Sequence, residues 1–66
     1  MSNFTITSWN GCNPQHFDTW AEASVIAQAK AAREGSIVHV TDNLTDEACE
    51  VDRAGNIGKW MTADID

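Results

Sequence analysis

The sequence predicts a small α+β domain of two layers, in which one helix packs on an antiparallel sheet in the order β-α-β-β(-β). Two observations support this prediction. Residues 20–34 contain six Ala and neither Gly nor Pro, a composition typical of a helix. On both sides of it, short runs rich in β-branched and aromatic residues alternate with turn-forming residues, as strands do. The 66 residues show no repeat or linker, so we expect one domain over residues 1–66.

The first predicted strand covers residues 4–9. Its side chains alternate between two faces with a period of two, and Thr, Ile and Trp favour the extended backbone. Gly11 and Pro14, each beside an Asn, then interrupt the pattern. These are turn-forming residues, so residues 10–16 are predicted to form a loop.

The helix has signals at both ends. Thr19 and Glu22 fit a capping box, in which each side chain accepts a hydrogen bond from the backbone N–H of the other residue. Lys30 and Arg33 lie near the predicted C-terminus, and Gly35 supplies the left-handed residue that ends a helix. We therefore expect the helix to span residues 20–34.

Two stripes of apolar residues run along this helix with helical spacing. The stripe assigned to the core consists of Trp20, Ala23, Ile26, Ala27 and Ala31. The other consists of Ala21, Val25, Ala29 and Ala32. We expect the second stripe to remain exposed as a weakly apolar surface available to a partner.

Three further strands are predicted after the helix. Residues 36–41 form one strand, a polar turn covers residues 42–47, and residues 48–53 form the next, with alternate side chains facing inward from Cys49. A tight turn at residues 54–56, with Gly55 in the left-handed region, leads to a short strand at residues 57–61. Residues 62–66 are expected to fray.

Charge excludes several classes of function. Ten Asp and Glu against four Lys and Arg give a net charge of −6. This disfavours direct binding to nucleic acid or to an anionic membrane, because phosphates attract Lys and Arg. No apolar run reaches the roughly 18 residues of a membrane span, and no signal-peptide pattern begins the chain. We expect a cytoplasmic protein without membrane contact.

The residues that could carry metal or nucleophilic chemistry are poorly arranged for it. Cys12, His16, His39 and Cys49 contain no C-x-x-C pair, and the last two would have to converge from different strands. The pair formed by Cys12 and His16 lacks an orienting group and an oxyanion hole. We predict two free thiols, no metal, no cofactor and no enzymatic activity.

An acidic cluster follows the second predicted strand and contains Asp42, Asp46, Glu47, Glu50 and Asp52. One interpretation is that it only keeps a small domain soluble. The other is electrostatic mimicry of nucleic acid. Glu50 and Asp52 would share one face of a strand about 6.7 Å apart and extend a row of anions. A basic groove would attract such a row over a Debye length of about 10 Å.

Three Trp residues are more than a small two-layer core needs. Trp20 on the helix is the best candidate for the core, whereas Trp9 and Trp60 fall at strand ends, where at least one should be exposed. Since Trp is enriched at binding hot spots, Trp60 joins the five acids as a candidate partner-binding residue.

The layout as a whole resembles that of a known group of proteins. The strand FTITSW at residues 4–9 precedes the Ala-rich segment TWAEASVIAQAKAAREG at residues 19–35, and the strand SIVHVT at residues 36–41 precedes the hairpin CEVDRAGNIGKW at residues 49–60. In this layout the chain resembles the small acidic anti-CRISPR proteins of phages and mobile elements in Pseudomonas. The similarity is greatest to inhibitors of type I systems, with type I-C among them.

The resemblance implies a non-enzymatic inhibitor in the cytoplasm of the bacterial host. Such proteins commonly bind the crRNA-guided surveillance complex, Cascade, and block target-DNA binding, and others block recruitment of the nuclease-helicase. We expect a monomer that acts in the first way through the acidic cluster and Trp60. The alternative is a phage accessory or structural protein that self-associates through the second helix stripe and an exposed Trp.

Overall fold

The computed structural model describes residues 3–62. One helix packs on one face of a five-stranded antiparallel sheet with the strand order β2-β1-β3-β4-β5. This confirms the predicted two-layer α+β class. The elements are β1 (Phe4–Ser8), β2 (Gln15–Phe17), α1 (Trp20–Glu34), β3 (Val38–Asp42), β4 (Glu47–Val51) and β5 (Met61–Thr62). Among residues 3–62 there is no apolar helix of the length that a membrane span requires.

Strand β2 corrects the predicted loop over residues 10–16. The chain reverses after β1 through Gly11 and Asn13, both at positive φ, and then pairs with β1 so that Phe17 lies opposite Phe4. The reversal is held by a hydrogen bond from the Gly11 N–H to the Ser8 carbonyl, 2.8 Å long. A three-residue strand is too short to show a period of two, and for this reason the sequence pattern did not reveal it.

Helix α1 begins and ends where the sequence predicts. The Thr19 hydroxyl oxygen accepts a hydrogen bond from the Glu22 N–H at 3.3 Å, and the same hydroxyl donates to the Glu22 carboxylate at 3.2 Å. The carboxylate therefore bonds to the hydroxyl group, where a capping box would have it accept from the Thr19 N–H. Gly35, at φ 69°, ends the helix and donates its N–H to the Ala31 carbonyl.

The core lies between the helix and one face of the sheet. It consists of Ile6, Ala23, Ala27, Ala31, Val38, Val40, Cys49 and Val51. The three Ala side chains let the helix axis approach the sheet closely. The helix stripe that was assigned to the core is wrong at Ile26, whose side chain is 37% exposed. The second stripe is exposed as predicted, and Val25 is 62% exposed.

Three aromatic rings close the core at the N-terminal end of the helix. The Trp20 ring lies 5.7 Å from Phe4 and 5.2 Å from Trp60, centroid to centroid, the latter in an edge-on arrangement. All three side chains are partly buried against the core. Trp9, in contrast, is 61% exposed.

The second half of the sheet differs from the prediction in its bounds. Strand β4 ends at Val51, and Gly55 has the expected positive φ, here 90°. Residues 57–61 do not form the predicted continuous strand. Ile57 makes an isolated bridge to Val51, and regular pairing resumes only when Met61 lies opposite Ala48. Thr62 belongs to β5 and does not fray, whereas residues 63–66 lie outside the described residues.

Candidate functional site

The hairpin between β3 and β4 places three acids at one end of the sheet. Asp42 is the last residue of β3 and pairs with Glu47, the first residue of β4. Between them, Asp46 is exposed at φ 60°. The Asp42 carboxylate accepts hydrogen bonds from the backbone N–H groups of Leu44 at 2.9 Å and Thr45 at 3.4 Å. The turn is thus held by two of its own acids, because the Glu47 carboxylate also accepts from the Thr45 hydroxyl at 3.1 Å. Asp46 is carried on this ordered frame.

Two acids from the start of the helix join this end of the molecule. Asn3 connects the backbone of Asp18 to the β3–β4 hairpin, because its side-chain amide donates to the Asp18 carbonyl at 2.9 Å and its own carbonyl accepts from the Asn43 N–H at 2.8 Å. Asp18 follows β2, and Glu22 lies in the first turn of α1. We call the resulting surface the acidic end. It consists of Asp18, Glu22, Asp42, Asp46 and Glu47.

The acidic end extends across most of the sheet. Phe17, Phe4, Asp42 and Glu47 are opposite one another on the four consecutive strands β2, β1, β3 and β4. With neighbouring strands about 4.8 Å apart, this row is about 14 Å long. The sequence interpretation missed Asp18 and Glu22, which stand 24 and 20 residues before Asp42 and are brought to it only by the pairing of β1 with both β2 and β3.

All four basic side chains belong to other parts of the molecule. Lys30 is buried and pairs with Glu34 near the C-terminus of α1, with 3.1 Å between Nζ and Oε2. Arg33 lies in the last turn of α1, Arg53 in the turn that follows β4, and Lys59 in the segment that precedes β5. The hydrogen bond from Lys30, with a smaller contribution from Ser8, lowers the pKa of the Glu34 carboxyl group. The loops of the acidic end carry no Lys or Arg.

The predicted row of anions through Glu50 and Asp52 is wrong. Strand β4 ends at Val51, so Asp52 lies in the following turn and does not continue the face of Glu50. Its carboxylate accepts from the backbone N–H groups of Ala54 at 3.0 Å and Asn56 at 2.9 Å, and from the Asn56 side chain at 3.2 Å. These hydrogen bonds, those from the Asn56 backbone foremost, lower the pKa of Asp52. Asp52 organises its own turn.

Glu50 and Trp60 lie on opposite faces of the sheet. Trp60 packs on Trp20 on the helix side. Glu50 points to the face without a helix, where its carboxylate lies 3.7 Å from His39 Nδ1. Trp60 therefore does not lie beside Glu50, although both residues were predicted to bind a partner. The other ring nitrogen of His39 is 3.1 Å from the Trp9 carbonyl oxygen.

The face of the sheet without a helix carries a shallow cavity of about 390 Å³. Its lining includes His39, Glu50, Lys59 and Met61. The opposite charges of Glu50 and Lys59 at this cavity contrast with the single sign of charge at the acidic end. Of the residues predicted to bind a partner, Glu50 alone borders it.

The four side chains considered as metal ligands or nucleophiles are dispersed. Cys12 is exposed, and Cys49 is buried on the helix side, whereas His39 is on the other face of the sheet. Burial, with a further contribution from Glu50, raises the pKa of the Cys49 thiol to about 11. Over residues 3–62 no three side chains of His, Cys, Asp or Glu are grouped so that they could hold a metal ion.

Comparison of the chain with protein-family models, with curated proteins and with solved structures gave no match.

Proposed function

We propose that this protein is a non-enzymatic inhibitor that binds the type I CRISPR surveillance complex, Cascade, in the cytoplasm of a bacterial host. In this proposal the acidic end occupies a surface lined by Lys and Arg that otherwise holds target DNA. The observation that carries it is the gathering of five acids at one end of the sheet, where the connecting loops carry no Lys or Arg. The choice of Cascade as the target comes from the resemblance in layout described above.

The electrostatics of the acidic end suit competition with nucleic acid. Attraction between it and a basic groove acts over a Debye length of about 10 Å and accelerates encounter. Because Asp42 and Glu22 are held by hydrogen bonds to their own loops, part of the anionic surface is ordered before the partner arrives. An ordered surface loses less conformational entropy on binding than a mobile acidic tail would.

The test compares a triple variant of the acidic end with a control variant on strand β4. Glu47→Gln and Glu50→Gln remove the same charge from β4, but only the first changes the acidic end. The triple variant Asp18→Asn, Asp46→Asn and Glu47→Gln keeps the side-chain shapes and halves the net charge of the chain. With purified type I-C Cascade, we expect the wild-type protein and Glu50→Gln to prevent the gel shift of target DNA, and the triple variant to need about a hundredfold higher concentration.

Three outcomes distinguish the mechanisms. Inhibition by the wild type that weakens between 0.1 and 0.5 M salt supports competition by charge, because salt screens exposed charges over roughly 10 Å or less. Binding that leaves the DNA shift intact would replace this mechanism by a block of nuclease-helicase recruitment. Equal potency of the triple variant and the wild type would contradict the role of the acidic end.

A second candidate, a phage accessory protein that acts by self-association, is favoured by one observation. The second helix stripe leaves Val25 62% exposed. Light scattering separates the two candidates, because a stable dimer at micromolar concentration would favour self-association, and a monomer of 7.2 kDa would favour the inhibitor.

A further inference from the structure

A shallow groove adjoins the acidic end on the side of strand β2. It has a volume of about 460 Å³ and lies between β2 and the first half of helix α1. Its lining consists of Phe17, Ala21, Glu22, Val25 and Ile26. Four of these five side chains are apolar, and Glu22 is also a member of the acidic end.

The apolar side chains of the groove remain in contact with water. Val25 is 62% exposed and Ile26 is 37% exposed, although a helix turn that served the core alone would place polar residues there. Ala21, one helical turn before Val25 and Ile26, is small, so the surface is concave. Concave surfaces lined mainly by apolar side chains, with a few polar groups, are typical of binding sites.

The charge around the groove identifies the kind of occupant. Glu22 stands in its wall, and Asp18 immediately precedes the helix N-cap Thr19. The nearest basic residue along the helix, Lys30, is eight residues from Glu22, about 12 Å along the axis, and is paired with Glu34. A second copy of this chain would bring another net charge of −6 to the groove and would be repelled. A positively charged segment would be attracted.

We propose that the groove receives a basic segment of the partner protein, in which one apolar side chain is flanked by Lys or Arg. The apolar side chain fills the groove against Val25 and Ile26, and the flanking cations lie near Glu22 and Asp18. This inference rests on the proposed function, since it adds an apolar anchor to the same interface. The anchor supplies affinity that salt does not screen.

The first test uses peptides and does not need Cascade. The probes are two five-residue peptides, Lys-Lys-Leu-Lys-Lys and Lys-Lys-Ser-Lys-Lys, which are equal in charge and differ in one apolar side chain. In amide NMR spectra at 0.5 M salt, we expect the Leu peptide to shift the signals of Phe17, Ala21, Val25 and Ile26. The Ser peptide should cause at most a third of those shifts. Equal shifts from the two peptides, or shifts from neither, would overturn the inference.

The second test compares two substitutions on one exposed helix stripe. Val25→Lys and Ala29→Lys add the same charge and the same good helix former, but only residue 25 lines the groove. We expect Val25→Lys to weaken binding to Cascade at least tenfold and Ala29→Lys to change it less than twofold. Circular dichroism must show equal helix content in both variants. If both substitutions weaken binding to Cascade equally, or if neither weakens it, the role of the groove is overturned.

The two proposals can fail separately. If Val25→Lys inhibits as well as the wild type and the triple acidic variant does not, the groove inference fails and the acidic end retains its proposed function. If the wild type does not bind Cascade but the Leu peptide occupies the groove, the groove stands as a site for basic segments and the proposed target is wrong.

Discussion

At the acidic end of the sheet, five carboxylates gather beside loops that carry no Lys or Arg, whereas at the opposite end Lys30 pairs with Glu34 and Asp52 accepts hydrogen bonds from backbone N–H groups. There, the Glu34 carboxylate accepts from both Lys30 and Ser8 at 3.1 Å, and Asp52 holds the turn that follows β4. The Gln28 side chain ties that turn to the helix by donating to the Gly55 carbonyl at 3.0 Å. The charges of the opposite end stabilise the fold, and much of the charge at the acidic end is available to a partner.

The largest effect on stability is expected at Glu34. Lys30 is only 5% exposed, so Glu34→Ala leaves a buried ammonium group without its carboxylate. We expect this variant to lower the melting temperature more than the removal of any single charge from the acidic end. The double variant Lys30→Met and Glu34→Gln should recover most of the loss, because it removes the buried charge as well. Equal melting temperatures of Glu34→Ala and Asp46→Asn would contradict the contrast between the two ends.

A smaller effect is expected when the same substitution is made in the two turns. Asp52→Asn weakens hydrogen bonds that the charged carboxylate accepts, so it should lower the melting temperature at pH 7. Asp46→Asn should not lower it, because Asn tolerates the positive φ of this position and like charges repel one another there.

The pH dependence of this difference follows from the lowered pKa of Asp52. A group with a lowered pKa in the folded state stabilises the protein above its ordinary pKa, near 3.9 for Asp, and loses this contribution as the pH falls through the folded value. Thermal unfolding from pH 7 to pH 2 should therefore show the gap between wild type and Asp52→Asn closing below about pH 4. A gap that persists at pH 2 would assign the effect to packing.

The interior between the two ends can be probed through Cys49. Its pKa of about 11, raised from 9.0, lowers the thiolate fraction at pH 8 about a hundredfold. We expect a thiol reagent to modify the exposed Cys12 first and Cys49 at least a hundred times more slowly. The reaction of Cys49 is slower because the sheet must open before the reagent reaches it. Since the folded pKa is raised, stability should fall as the pH rises from 9.0 towards 11. The variant Cys12→Ser is the control that isolates the slow reaction.

The smallest effect is expected from salt on the free protein. Repulsion among the acids is screened at 0.5 M salt, so the melting temperature should rise slightly. The rise should be smaller in the triple variant Asp18→Asn, Asp46→Asn and Glu47→Gln, which carries less like charge at the acidic end. An equal rise of the melting temperature in both proteins would show that repulsion at the acidic end does not affect the stability of the fold.

Local signals in the sequence were sufficient for much of the fold. The Thr19 and Gly35 caps act through groups a few residues away, so they predicted helix α1 with the right bounds. The alternation around Cys49 likewise predicted which side of β4 is buried. The segment at residues 57–61 was predicted wrongly, because its pairing depends on Gly58 donating its N–H to the Glu50 carbonyl, a contact that the side-chain pattern does not express.

The candidate site was less accessible to sequence reasoning. The acidic cluster between Asp42 and Asp52 was visible as a run of charge, and three of its members do lie together. The sequence pattern alone could not separate Asp52 from them. Strand β4 ends at Val51, and the Asp52 carboxylate therefore accepts a hydrogen bond from the backbone of Asn56 in the following turn.

The sequence by itself determined the fold class, the helix with its two caps, the small size of the core and the excess of negative charge. These properties depend on composition and on contacts between near neighbours in the chain. The tertiary structure alone decided which acids lie together. Strand β1 pairs with β2 on one side and β3 on the other, and this brings Asp18 and Glu22 to the end of the sheet where Asp42 lies. Pairing between distant segments depends on the whole fold, since its hydrogen bonds join backbone groups that every residue has.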